Sequence, residues 1–345
     1  MYVNLARRLK TLTINRKEKF EQDRLESQAF SVIVRKETTD FIRSFRIIIL
    51  LAIILLACFG SLYTAITAIS DAIDTGNAER IGGDADLFLK LFTVSDGTLP
   101  PFITFVGLLG PLFGIALGFD AINSERSRGT LNRLMSQPIP RDHVLNAKFV
   151  AALMINVVLF FTLGLVVTAL GILILGIPPT LEEFLRIFSF LVVCIIYIAF
   201  WLNLGILFSV IFKNAATSAL ACIGVWLFFN VFYSIIINLI SGSILKPESV
   251  TSVSDVVSHQ EFILNLLRLS PNYLFSEATT ILLSPSVRSL GPLTMEQTVG
   301  AIAGPLPLSQ SLLLIWPQLT GLIAATLICF AIAYVIFMRQ EIRTN

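Results

Sequence analysis

The chain has 345 residues, of which 55% are hydrophobic and only 14% charged. Soluble domains carry about 45–50% apolar and about 25% charged residues, so the composition excludes an ordinary water-soluble globule and points to the lipid bilayer. The formal net charge of +2 says little by itself, and no nucleic-acid partner is expected. Where the charges fall along the chain says more.

Residues 1–29 are strongly charged and suggest no fold; they are read as a cytoplasmic extension, with the membrane domain occupying 30–345. "AFSVIVRKETTDFIRSFR" follows. Phe30, Ile33, Val34, Phe41, Ile42 and Phe45 recur at helical spacing, with Arg35, Lys36 and Arg43 between them. This pattern suits a helix lying on the inner leaflet with its bases toward anionic lipid. The alternative is a cytoplasmic extension of the first span.

A helix needs about 20 apolar residues to cross the hydrocarbon core. Six runs meet or approach that length: 47–69, 102–119, 149–177, 187–212, 215–240 and 312–338. The first is too long and too far along the chain for a cleaved signal peptide. The second is short and holds Gly107, Gly110, Pro111, Gly114 and Gly118, which predicts a kinked, closely packed helix. The third is long enough to tilt or to project beyond the bilayer. Only Lys213 and Asn214 separate the fourth and fifth, which predicts a tight helical hairpin.

Lys and Arg near span ends set orientation. Residues 1–46 hold eleven of them and 123–148 hold five, while 71–99 hold Arg80 and Lys90 against six acids. Both termini are therefore expected in the cytoplasm. The outer segment 241–311 is too polar to span. Within it Phe262, Ile263, Leu266, Leu267 and Leu269 form an apolar face that breaks at Pro271, and a second short helix is expected from Tyr273 to Leu283. These would cap or dip into the outer mouth.

The missing chemistry narrows the function. No GxxxxGK[ST] phosphate loop, HExxH or GxSxG motif occurs. The four cysteines, Cys58, Cys194, Cys222 and Cys329, lie in apolar runs and read as packing residues. His143 and His259 fall in separate polar segments, which rules out a bis-histidine haem. "IGGDAD" at 81–86 reads as a plain turn. No charged residue falls within the six apolar runs, so coupling to an ion gradient has no titrating group. Asn156, Asn203, Asn230 and Asn238 either bond between helices or line a path; Gln318 is a fifth neutral polar group. No metal site is expected, and uphill transport would draw its energy from another chain.

"SERSRGTLNRLMSQPIPRDHVLNAK", residues 124–148, is longer than a simple loop requires. Ser124 can cap a helix, with Glu125 in its first turn. Leu131, Leu134 and Met135 then share one face, and Arg126, Arg128, Asn132 and Arg133 take much of the rest. Gly129 lowers helix propensity and lets another backbone approach. Pro138 and Pro140 stop the helix before Arg141 leads into the third span. The expected product is a short amphipathic cytoplasmic helix, tied to the membrane at both ends.

This stretch resembles the signature of type-2 ABC transporter permeases. The matching positions are Asp120, Glu125, Gly129, Thr130, Leu134, Pro138, Arg141 and Lys148. "VIVRKETTDFIRSFR" is similar to that family's elbow helix, and "LSPNYLFSEATTILLSP" resembles a segment of its outer loop. The resemblance implies an all-α membrane protein with six transmembrane helices, an elbow helix, a cytoplasmic coupling helix and short outer capping helices. It implies a permease subunit, not an enzyme, coupled for export to a separate ABC ATPase that carries ATP and Mg. It also implies a second permease copy or paralogue and a prokaryotic plasma membrane. Glu125, Arg126, Arg128, Gly129, Thr130, Leu131 and Leu134 are then the ATPase-docking residues. Asp120, Pro138, Arg141 and Lys148 anchor the loop. Two rivals stand beside this reading. One is an ATPase-coupled mechanotransmission module that works on an extracytoplasmic partner through 241–311. The other, a membrane-embedded enzyme, lacks any nucleophile–base pair.

Overall fold

The structure is a computed structural model that describes residues 27–74, 86–131, 140–176, 178–244, 253–285 and 306–340. Among the described residues every regular element is a helix. Helix α1 covers 27–42 and ends at a break over Arg43 and Ser44, after which α2 runs Phe45–Asp74. The break makes α1 a separate helix, distinct from an extension of the first span. Most of residues 1–29 and all of 286–305 lie outside the described residues.

Six helices are long and apolar enough to cross a membrane. They are α2, α4 (Phe102–Gly118), α6 (Arg141–Leu175), α7 (Leu181–Ile211), the fifth span, and α12 (Leu308–Arg339). The fifth span is α8 (Ala215–Leu227), a π-helical segment Phe228–Phe232, and α9 (Tyr233–Ile244). Among the described residues the remaining helices are short: α3 (Leu87–Thr93), α5 (Asn123–Ser127), α10 (Val253–Leu267) and α11 (Pro271–Leu283). The α7–α8 connection is only Phe212–Asn214, so the expected hairpin is present.

Helix α7 is the axis of the bundle. Trp201, Tyr197, Phe190 and Arg186 on it are fully buried, and α3, α4, α6, α8, α11 and α12 all pack against it. The glycines of the second span serve its approach. A Cβ on Gly114 would sit 2.7 Å from the Ile198 carbonyl oxygen, and one on Gly118 would sit 2.5 Å from that of Leu202. From the other side, a Cβ on Gly205 would sit 3.1 Å from the Gly118 Cα. Small residues let helix backbones touch where hydrophobic drive between helices is weak.

Two features depart from the sequence reading. Helix α7 starts at Leu181, so Glu182, Glu183 and Arg186 belong to the fourth span's own helix. Its first turn is a capping box between Thr180 and Glu183. Glu183 also accepts the Phe88 backbone N–H at 3.2 Å, which ties α3 to α7. Helix α3 itself, inside the acid-rich segment 71–99, was not foreseen. Its Phe88, Leu89, Leu91 and Phe92 are buried, and this four-residue apolar density is too short for periodicity to register.

The segment between the fifth and sixth spans forms the two expected helices. Pro271 opens α11, where fixed φ suits the first helical turn. Helix α11 lies in the core, with Leu274, Phe275, Ala278, Ile281, Leu282 and Leu283 buried.

The α4–α7 contact predicts a sharp difference between glycines. Gly118→Ala should lower stability by about 1–3 kcal/mol, the usual cost of overpacking. Gly224→Ala, with nothing within 4 Å of the added carbon, should cost nothing. Thermal unfolding of the detergent-solubilised chain measures both.

Candidate functional site

The loop after α4 is placed by α7. Because α4 and α7 touch along their glycines, the last turns of α7 lie beside residue 122. There the Ser209 hydroxyl accepts the backbone N–H groups of Ile122 at 2.8 Å and Asn123 at 3.2 Å. Helix N-termini leave such donors unpaired; here a serine from another helix satisfies two. This corrects the expected cap: α5 begins at Asn123, its N-cap position is Ile122, and the Ser124 hydroxyl donates back to the Asp120 carbonyl.

Helix α5 is also shorter than expected. It ends at Ser127, and Gly129 takes a left-handed φ of +70°, a conformation that glycine adopts at little cost. Helical geometry resumes at Thr130 and Leu131. Gly129 therefore supplies a turn, and among the described residues nothing lies within 4 Å of where its Cβ would be. Ser127, Arg128, Gly129 and Thr130 are exposed, whereas Leu131 is buried. Leu134, Met135 and Pro138 lie outside the described residues.

Beneath this turn is a node of buried charge. Lys148, on the second turn of α6, donates to Glu37 of α1 at 2.9 Å and to Glu125 of α5 at 2.9 Å. The Lys148, Glu37 and Glu125 side chains are 5%, 9% and 14% exposed. Lys36 adds contacts to Glu37 at 3.0 Å, Asp40 at 3.4 Å and Glu125 at 3.7 Å. One cation thus joins α1, α5 and α6. The node lines a cleft of about 360 Å³ that Arg46, Asp120 and Arg128 also border.

Burial by itself would push the Glu37 carboxyl up. The Lys148 charge and hydrogen bond, with Lys36 beside it, outweigh burial and hold it below its ordinary value. Burial would likewise lower the Lys36 ammonium, but Glu37, Glu125 and Asp40 raise it.

Two further ties complete the site. Asp120 pairs with Arg46 at 2.6 Å, and Arg46 lies over the Phe119 ring at 5.2 Å, so the end of α4 is fastened to the start of α2. Arg126 donates to the Gln340 side-chain oxygen, and Gln340 donates to the Val210 carbonyl at 2.9 Å. The end of α12 is thereby clipped to α5 and α7.

The predicted residues divide accordingly. Glu125 and Lys148 meet in the buried node, Asp120 pairs with Arg46 and Arg126 with Gln340, while Arg128, Gly129 and Thr130 are exposed. Arg141 starts α6, is exposed, and forms no ion pair among the described residues. The asparagines do not converge. Asn156 donates to the Ile195 carbonyl at 3.2 Å and Asn203 to that of Thr326 at 3.5 Å, two different seams of α7. Asn230 is half-buried in the π segment and Asn238 is exposed on α9. Glu37, Ser209 and Gln340 were missed. Glu37 left a signal, because it continues the buried face of Ile33 and Phe41 at i+4 spacing. Ser209 left none.

Six helices able to span a membrane around one buried axis, with a charge-knotted polar segment at one end, define a multi-pass membrane protein. The family model described as ABC-2 family transporter protein matches residues 31–342, and the chain belongs to that family. It is a multi-pass membrane protein and an ABC transporter permease subunit, a transport component and not itself a catalyst. No curated protein matches the chain.

Lys148→Ala should destabilise the protein by about 3 kcal/mol, because Glu37 stays buried with only the half-exposed Lys36 to pair with. The pH profile has a definite sign. A depressed carboxylate contributes fully above the ordinary range, and its contribution is lost as pH falls through the depressed value. The thermal midpoint should therefore drop below about pH 4, and Glu37→Gln should flatten that drop.

Proposed function

We propose that the exposed turn Ser127–Thr130 is the docking point of a separate ATP-binding subunit, and that the node of Lys148, Glu37 and Glu125 carries its motion into the membrane helices. The single observation supporting this is the joint hold of one buried lysine on α1, α5 and α6. A push on the turn cannot move α5 alone. It moves α1 through Glu37 and the third span through Lys148. Arg128 is the outward cation best placed for contact, since it forms no ion pair among the described residues. Glu125, Arg126 and Leu131 serve docking from within by fixing the turn.

ATP and Mg belong to the partner chain. Two permeases, identical or paralogous, pair around the path, and transport runs outward. The excess of Lys and Arg over 1–46 and 123–148 supports a cytoplasmic position for the α5 end and both termini, in a prokaryotic plasma membrane. Lipid surrounds the apolar residues that α2, the fifth span and α12 leave exposed. The alternative role for 241–311, as a working surface for an extracytoplasmic partner, finds less support. Helix α11 turns its side chains into the core, leaving α10 as the described part free to meet a partner.

Co-purification of the tagged chain from its host under mild detergent tests the reading. A stoichiometric ATP-binding subunit is expected, and Arg128→Glu should lower its recovery at least tenfold while leaving the thermal midpoint unchanged. A chain that purifies alone, or an Arg128→Glu variant that retains its partner, overturns it.

A further inference from the structure

Contacts along α7 fix how deep α11 lies. Near the outer end of α7, Arg186 is buried and donates to the carbonyls of Leu282, at 3.0 Å, and Leu306, and to the Ser311 hydroxyl at 3.2 Å. Deeper, the Tyr197 hydroxyl meets the Asn272 side-chain oxygen at 2.7 Å, and the Tyr197 ring stacks on Phe275 at 4.2 Å. At about 1.5 Å per residue, the stretch from Arg186 to Tyr197 spans about 16 Å, roughly half of a ~30 Å hydrocarbon core. Helices α10 and α11 therefore form a hairpin that dips to mid-membrane, with its tip at residues 268–270.

The two limbs of the hairpin differ in their attachments. Helix α11 is fixed at both ends to α7 and packs along α12. Helix α10 packs chiefly on α9, where the Tyr233 hydroxyl donates to the Leu266 carbonyl at 2.5 Å. Helix α9 in turn meets α10 and the π segment, whereas α8, below it, reaches α4 and α7. So α9 and α10 form an arm standing off the core. It is bounded by the π segment at one end and the hairpin tip at the other. Mid-helix departures from α geometry often mark hinges.

One ion pair crosses the seam between arm and core. Arg268 continues the last turn of α10, its N–H bonded to the Leu264 carbonyl at 2.9 Å. Its guanidinium forks onto Glu277 of α11 at 2.8 and 2.9 Å. The Glu277 side chain is 0% exposed and the Arg268 side chain 34%. A charged pair at membrane depth is costly and is kept for a use. Arg186 and Tyr197 hold α11 to α7 at separate points.

We propose that Arg268 and Glu277 are positioning residues that latch the α9–α10 arm to the α7–α11–α12 core, and that opening this latch parts the outer half of the permease. The arm pivots on Phe228–Phe232, and α11 stays with the core as a fixed wall. This rests on the transport reading and refines the expected capping role of the outer helices: one of them moves and the other does not.

Spin-label distance measurements on the full chain in lipid nanodiscs test the latch. Cys58, Cys194, Cys222 and Cys329 are first replaced by alanine. The outer label pair is Ile235→Cys with Leu313→Cys, and the inner control pair is Leu220→Cys with Val335→Cys, all at exposed positions. Arg268→Gln should raise the long-distance population of the outer pair about tenfold and leave the inner pair unchanged. The double variant Arg268→Glu with Glu277→Arg should restore the closed distribution. An unchanged outer pair overturns the proposal. So does equal broadening at both pairs, which would make the ion pair a general structural brace. Glu277→Gln gives the same reading should Arg268→Gln fail to fold. The measurement needs neither ATPase nor substrate, so its failure is separable from loss of the docking partner.

Discussion

The architecture depends on the approach of two backbones. Gly114, Gly118 and Gly205 leave no side chain of their own between α4 and α7, so at these positions the helices meet at main-chain distance. Everything functional is referred to that contact. It brings Ser209 under the first turn of α5. Helix α7 is largely buried, with α12 along its length, α11 against the half that holds Arg186 and Tyr197, and α6 on its flank. In a bilayer, where lipid is as apolar as leucine, such close packing and a few internal hydrogen bonds are what hold helices together.

Charge is placed on this frame sparingly and always in groups. At one end, Lys148 neutralises two carboxylates from two other elements. At the other, Arg186 ties three segments through backbone oxygens and Ser311, with Glu182 at 2.9 Å as its counter-ion. At mid-depth, Arg268 and Glu277 pair across a seam. Lys148, Arg186 and Glu277 are buried, so each needs its partners to be tolerated. Lys148 and Arg186 also join elements that the chain connects only over long distances. The ion pairs mark where different helices meet, and the proposed transmission and release of motion both rest on them.

These groups share the work between the two ends. The node around Lys148 is rigid and many-sided, and suits the transfer of force. The Arg268–Glu277 pair is single and partly exposed, and suits release. A permease needs both properties, and they reside in different parts of one chain because α7 separates them.

Much of this was legible in the sequence. Composition and apolar run length specified six spans, because a bilayer imposes a minimum length and excludes unpaired backbone. Pro271 and the leucine spacing before it located the outer hairpin. The charged stretch after the second span announced itself by its contrast with the greasy runs around it. Tertiary structure alone decided the rest. Periodicity ranks Glu37 as one more polar residue on a basic helix; only the approach of α6 makes it a buried partner of Lys148. Glu125 looked like a surface contact and is instead held inside. Arg186 looked like a loop residue because hydropathy dropped where the helix did not. Ser209 is an ordinary serine in an apolar run until α4 arrives beside it. Span existence follows from local composition, which a sequence displays. Which polar groups meet depends on how helices far apart in the chain pack, and no local pattern encodes that.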